Sequence, residues 1–154
     1  MGKYYLTKKK LNEVREEYEN IKEVRKNKLQ IETPSVLHSE ELNIEFVSFQ
    51  EDLDILDSKI EKLEEVLNNF ETIKPPPKKE RDKVNIGAQV QVEARGNKDE
   101  FTIVGTLEAD PNLGKISNES PVGKVLLGCK AGDEVVVFFP VKEIYKIKKI
   151  KYKF

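Results

Sequence analysis

From residue 42 to residue 70 nine apolar residues fall in one narrow register: Leu42, Phe46, Phe49, Leu53, Leu56, Ile60, Leu63, Leu67 and Phe70. The steps alternate four and three residues, which keeps all of them on a single stripe of an α-helix. Neither Gly nor Pro interrupts the run. So narrow a seam on so long a helix does not wrap onto a globular core. It needs a second helix alongside.

The chain supplies one just upstream, from about Thr7 to Glu32, with Leu11, Val14, Tyr18, Ile21, Val24 or Arg25, and Leu29 on its apolar face. Thr7 is the expected N-cap, because its hydroxyl accepts a bond from an orphan amide of the first turn. Pro34 stops this helix, since a residue before proline is pushed out of the α region. Ser39 offers the next N-cap, and Glu40 and Glu41 fall in the following first turn, where the helix dipole favours negative charge. With so few residues between them the helices fold back as an antiparallel hairpin. At 1.5 Å per residue each arm is roughly 40 Å long. The expected object is a rod whose tip is Thr33 to Asn43.

The pattern then changes. Lys74-Pro75-Pro76-Pro77-Lys78-Lys79-Glu80 is a composition break, and three prolines favour an extended spacer. The division read from this is a coiled-coil hairpin at 1–74, a proline-rich linker at 75–82 and a small domain at 83–154. Beyond the linker the apolar period is two: Ala88, Val90, Val92 and Ala94 alternate with polar residues, as in a half-buried strand. Glu100 to Gly105 reads as a second strand after a turn over Arg95 to Asp99, Asp133 to Phe139 as a third and central one, and Glu143 to Tyr152 as a fourth. The alternation changes phase between Ile147 and Ile150, which predicts a bulge near Lys148 and Lys149. One short helix is expected between strands. Ser120 caps it, Pro121 sits at its first position, Val122, Val125 and Leu126 pack it on the sheet, and Gly128 ends it. The whole is α+β: a helical hairpin, then a small antiparallel sheet domain.

Charged residues make up 36% of the 154, well above the usual quarter, which suits a long solvated hairpin. The net charge of −1 hides a segregation. Residues 1–30 carry nine Lys or Arg against five Glu, and residues 39–73 carry eleven Asp or Glu against two Lys. Pairing of the two arms beside the seam accounts for this most simply; presentation of the acidic arm to a metal or a basic channel is the sharper alternative. No long basic excess favours nonspecific duplex binding. Cys129 and His38 are each the sole residue of their kind, so neither a disulfide framework nor a thiolate or imidazole metal cage is expected. No apolar run approaches a membrane span and the Lys-rich start lacks a signal-peptide core, so a cytoplasmic protein is expected. There is no Gly-rich phosphate loop, no Ser/His/Asp set and no paired carboxylates at a strand mouth.

A hairpin followed by a small sheet domain resembles the bacterial Gre transcript-cleavage factors, and the residues match in order. Tyr5-Leu6-Thr7 and Arg15-Glu16-Glu17 are similar to the family's opening helix, and Asn43-Ile44-Glu45-Phe46 to the segment after its tip. In the second half Ile103-Val104-Gly105, Glu108-Ala109-Asp110, Ile116-Ser117, Ser120-Pro121-Val122-Gly123-Lys124, Leu126-Leu127-Gly128 and Gly132-Asp133 follow that family's series. The resemblance implies a C-terminal domain related to FK506-binding proteins that docks at the rim of RNA polymerase's secondary channel. The hairpin then enters the channel and carries its tip to the active site, with indirect contact to nascent RNA. It implies a rim contact through Glu119, Ser120 and Pro121, and a monomeric accessory factor with no catalytic residue and no cofactor of its own. Any RNA cleavage belongs to the polymerase.

The tip departs from the family. Cleavage-stimulating members carry Gly-Asp-Leu-(Ser or Lys)-Glu-Asn-Ala, whose two acids help hold the polymerase's second Mg²⁺. Here His38 stands at the Gly position, and Ser39 and Leu42 at the acidic ones. Glu40 and Glu41 lie between, displaced by a residue, which turns a side chain about 100° around a helix. They are the candidate ligands of a Mg²⁺ shared with the polymerase; the alternatives are a plain dipole-complementing role or a different polymerase contact. The expectation is an elongation factor with weak or lost cleavage stimulation, or a Gre-like inhibitor. An FKBP-like isomerase or chaperone is the reading from another class, against which stand the absence of Trp and the few aromatics available to line a proline pocket. A purely structural coiled-coil adaptor leaves the second-half series unexplained.

Overall fold

The structure, a computed structural model, describes residues 2–31, 44–138 and 141–153. The elements, in chain order, are β1 (Tyr4–Leu6), α1 (Lys8–Ile31), α2 (Ile44–Asn68), β2 (Phe70–Thr72), β3 (Ala88–Ala94), β4 (Asn97–Val104), β5 (Lys115–Ser117), α3 (Pro121–Leu126), β6 (Glu134–Val137) and β7 (Glu143–Tyr152). The readings at Pro34, His38, Ser39, Glu40, Glu41, Leu42 and Phe139 lie outside the described residues. Two compact units result, one of residues 11–70 and one of residues 1–10 with 71–154. Their boundaries differ from the sequence division: the first ten residues and the proline segment both belong to the second unit.

The first unit is the hairpin. Its arms run antiparallel, because partners descend along α2 as they ascend along α1. Arg15 lies over the Phe70 ring, the Tyr18 hydroxyl donates to Glu64 Oε1 at 2.8 Å, and Arg25 Nε and Lys28 Nζ pair with Asp57 and Asp52. Leu11, Val14, Phe49, Leu53 and Val66 are buried, with Tyr18, Ile21, Leu56, Ile60, Leu63 and Leu67 half-buried between the arms. The α1 seam therefore steps 11, 14, 18, 21, 25, 28, and its last two members are cations. Val24 is 53% exposed and Leu29 39%. Arg25 and Lys28 hold the seam positions because their stems cover apolar surface while their heads meet carboxylates on α2. Lys28 Nζ also sits 5.5 Å from the Phe49 ring centre, close enough for a cation–π contact. The opposed charges of the two arms are thus used at the seam. Two expected seam members differ: Phe46 is 40% exposed, and Phe70 lies in β2 because the helix ends at Asn68.

The second unit holds two sheets. β1 and β2 form a small ribbon, in which the Ile73 amide donates to the Leu6 carbonyl at 2.8 Å. Leu6 is fully buried and Ile73 nearly so, so this ribbon has apolar anchors of its own. The other sheet has five strands in the order β5-β4-β3-β7-β6. All its pairs are antiparallel except β4 with β5, which is parallel, so the antiparallel expectation holds for three of four pairings. Its core comprises Val84, Ala88, Val90, Val92, Ile103, Leu126, Val135 and Ile147.

Two local readings change. The β3–β4 turn is only Arg95-Gly96, with Ala94 opposite Asn97, and both turn residues have positive φ (51° and 77°). That pair matches the right-handed twist of a hairpin, so β4 starts three residues earlier than periodicity suggested. β6, expected at the centre, is an edge strand. Val135 and Val137 face the core while Val136 and the Phe138 that follows the strand face outward, Phe138 being 72% exposed. Its run of β-branched residues matched a central strand, but only alternate ones are covered. The bulge falls where the phase change placed it. Gln91 pairs with Lys149 and Val92 with Ile147, leaving Lys148 as the extra residue. The bulge lets Ile147 and Ile150, an odd number of positions apart, both serve the core.

Candidate functional site

The segment that opens α3 is built by short-range hydrogen bonding. Ser120 has extended φ/ψ (−70°, 156°), its Oγ accepts the Gly123 amide at 3.0 Å, and the same hydroxyl donates to the Ser117 carbonyl at 2.7 Å. Pro121 follows at the first helical position, where its missing amide costs no bond. Gly123 is buried under the same turn; a Cβ there would lie 2.0 Å from the Ser117 carbonyl oxygen. No other residue fits that approach, so α3 begins hard against the end of β5.

Glu119, just before the cap, is held by a ring of three bonds. Thr106 Oγ1 donates to Glu119 Oε2 at 3.1 Å, and the Glu119 amide donates to Ser117 Oγ at 3.1 Å. Thr106 has spent its only hydroxyl proton on the carboxylate, so the 3.0 Å contact between the two hydroxyls runs from Ser117 to Thr106. Each hydroxyl thereby donates once and accepts once. Glu119 and Pro121 are exposed and Ser120 is half-buried. The turn thus presents one hydrogen-bonded carboxylate and one rigid apolar ring.

The cap at Ser120 with Pro121 after it was legible in the sequence, whereas the bonding of Thr106 and Ser117 around Glu119 was not. Nothing in the local pattern marks them, since their roles depend on β5 and the 3-10 turn Thr106–Glu108 meeting. At the far end of α3, Cys129 Sγ donates to the Val125 carbonyl at 3.3 Å. Burial, with the Asp133 charge adding to it, pushes this thiol up from its ordinary range, as suits a packed rather than a reactive cysteine. The candidate Mg²⁺ residues Glu40 and Glu41, and Ser39 and Leu42 beside them, lie outside the described residues. Among the described residues no group of three His, Cys, Asp or Glu converges as a metal site. No described helix is long and apolar enough to cross a membrane.

The described residues form a seam-packed helical hairpin and a small mixed-sheet unit that carries a hydrogen-bonded Glu-Ser-Pro turn. Residues 78–152 match the family described as Transcription elongation factor, GreA/GreB, C-term. The chain is 36% identical to Transcription elongation factor GreA of Clostridium acetobutylicum over 154 residues, covering 97% of each. It is 37% identical to the GreA of Thermoanaerobacter pseudethanolicus over 147 residues, covering 93% of this chain and 92% of that one. Among solved structures it is similar to the GreA factor homolog 1 (Gfh1) protein of Thermus thermophilus, with 20% identity, 97% and 99% coverage and a TM-score of 0.43. A GreA/GreB factor from Nitrosomonas europaea matches with 26% identity, 66% and 91% coverage and a TM-score of 0.44. The chain belongs to the GreA/GreB family of transcription elongation factors.

Proposed function

We propose that this protein binds RNA polymerase at its secondary channel, docking through Glu119, Ser120 and Pro121 and presenting the hairpin tip to the polymerase active site. The observation that carries this reading is the α3 turn. Its exposed Glu119 and Pro121 are fixed by the Thr106–Ser117–Glu119 ring and by the close Gly123 packing, as a preorganised contact requires. The protein contributes position and charge, and the polymerase performs any cleavage of backtracked RNA.

The tip sets the outcome. Mg²⁺ takes hard oxygen ligands in near-octahedral geometry, and Ser39 and Leu42 provide no carboxylate where the family places two. Glu40 and Glu41 are the carboxylates available to a shared ion, at rotated positions. Channel occupancy with weak or absent stimulation follows, and a factor that occupies without stimulating acts as an inhibitor. The test adds the full chain to backtracked elongation complexes and measures both RNA cleavage and displacement of a bound Gre factor. Displacement with little cleavage is expected. No displacement refutes the docking reading, while strong cleavage refutes only the account of the tip. An isolated fragment from residue 80 onward is not a fair probe, because the sheet unit includes residues 1–10 and 71–79.

A further inference from the structure

The sheet unit contains a cavity of about 530 Å³, remote in the chain from the α3 turn and from the tip. Four lysines line it, Lys8 and Lys9 from the start of α1, Lys74 after β2, and Lys153 after β7. All four are exposed, and none of their side chains has an ion-pair or hydrogen-bond partner among the described residues. No carboxylate lines the cavity. Glu108 is hydrogen-bonded to one lining residue, Thr7, and that carboxylate is already engaged by both the amide and the hydroxyl of Thr7. The floor is apolar, with Ile73 and Val104 both nearly fully buried.

The placement of Lys8 and Lys9 is costly to the helix. The first turn of α1 contains no acidic residue and opens Lys8-Lys9-Lys10, although the positive end of the helix dipole disfavours cations there. Stability alone selects the opposite charge. Two further lysines brought from distant parts of the chain, Lys74 and Lys153, compound the repulsion around one concavity. Glu108, bonded to Thr7, brings one negative charge to this helix end, and a bound anion adds to it, since ammonium groups act as point charges for phosphate and the helix end adds its own field.

We propose that this cavity binds a small polyphosphate: pyrophosphate, or the phosphate chain of a nucleoside di- or triphosphate. Four lysines lining one cavity suit a ligand carrying several charges on adjacent phosphorus atoms rather than a single carboxylate. The volume lies in the range of small-molecule sites, and the apolar floor leaves room for a sugar or base beyond the phosphates. A nucleic-acid strand fits less well, because the lysines surround a pocket instead of tracking a backbone along the surface.

The test is calorimetric titration of the full chain with sodium pyrophosphate and with ATP in magnesium-free buffer. Lys9→Gln with Lys153→Gln is compared with Lys62→Gln with Lys149→Gln, which removes the same charge outside the cavity. The expected result is saturable binding that the cavity pair weakens by roughly tenfold or more and the outside pair leaves nearly unchanged, tenfold being about 1.4 kcal/mol. Lys74→Gln alone gives a smaller loss in the same direction. Absence of binding to the wild-type chain overturns the proposal, as does equal weakening by both pairs, which marks general charge attraction. Binding of a short oligouridylate without binding of pyrophosphate or ATP also overturns it. Polymerase docking is read separately by displacement, so neither result stands in for the other.

Discussion

The amide and hydroxyl of Thr7 both donate to the carboxylate of Glu108, at 2.8 and 2.6 Å, across 101 positions of sequence. The same hydroxyl accepts the Lys10 amide at 3.2 Å, so one side chain caps α1 and ties its start to the turn after β4. A cap that is also a long-range anchor makes the root of the hairpin part of the sheet unit. Close by, a Cβ at Gly105 would lie 1.9 Å from the Tyr5 carbonyl oxygen, so β1 passes directly over a position only glycine can fill.

Thr7→Val is therefore expected to cost about 1–2 kcal/mol in urea unfolding, the cap and a charge-assisted bond being lost together. Glu108→Gln should cost less, and the double variant less than the sum of the two, because they share one interaction. Strict additivity would show that the contact contributes nothing to stability.

Burial separates two phenylalanines that look alike in the heptad. Phe49 is 8% exposed and lies under Lys28, whereas Phe46 is 40% exposed. Phe49→Ala should lower hairpin stability by about 3 kcal/mol or more, and Phe46→Ala by about 1 kcal/mol or less. Thermal melts followed by helix circular dichroism distinguish them.

At the α3 turn, Gly123→Ala forces a Cβ into the Ser117 carbonyl and should destabilise by about 1–3 kcal/mol. Pro121→Ala alters an exposed ring and should leave the melting temperature within a few degrees. If the turn is the docking element, Pro121→Ala nonetheless weakens displacement of a bound Gre factor from polymerase. A Pro121 variant that binds as well as the wild type would remove that residue from the contact.

Tyr18 gives the hairpin a pH signature. Its hydrogen bond to Glu64 raises the phenol pKa, with smaller contributions from desolvation and from the charges of Glu64 and Glu19. A raised folded value means that the bond's contribution is complete below the unfolded phenol pKa of about 10 and is lost as pH rises through the folded one. Tyrosinate absorbance should show a late-titrating component that Tyr18→Phe or Glu64→Gln removes. Stability at neutral pH relative to that at alkaline pH should fall in the same variants.

For the tip, Ser39→Asp with Leu42→Glu supplies hard oxygen ligands at the family's acidic positions and should raise Mg²⁺-dependent cleavage without changing displacement. Glu40→Ala with Glu41→Ala should abolish whatever stimulation the unmodified chain retains. Robust cleavage that survives the latter pair would mean that the tip works without its own acids.

Much of this protein was determined by local sequence. The four-three spacing from Phe49 to Leu67, Thr7 and Ser120 as caps, Pro121 after a cap and the phase change between Ile147 and Ile150 each act within a few residues. Backbone hydrogen bonding and side-chain periodicity leave them little choice. The ordered residue series also placed the chain in its family. Tertiary structure decided what depends on residues far apart. It put Arg25 and Lys28 in the seam, where they pair with Asp57 and Asp52, and set β6 at the sheet edge, with Val136 and Phe138 exposed. It drew β1, β2 and the proline segment into one unit with the C-terminal sheet, through Leu6, Ile73 and Glu108. It also assembled the Thr106–Ser117–Glu119 ring and the four-lysine cavity. Those arrangements rest on distance in space between groups that the linear pattern keeps many residues apart.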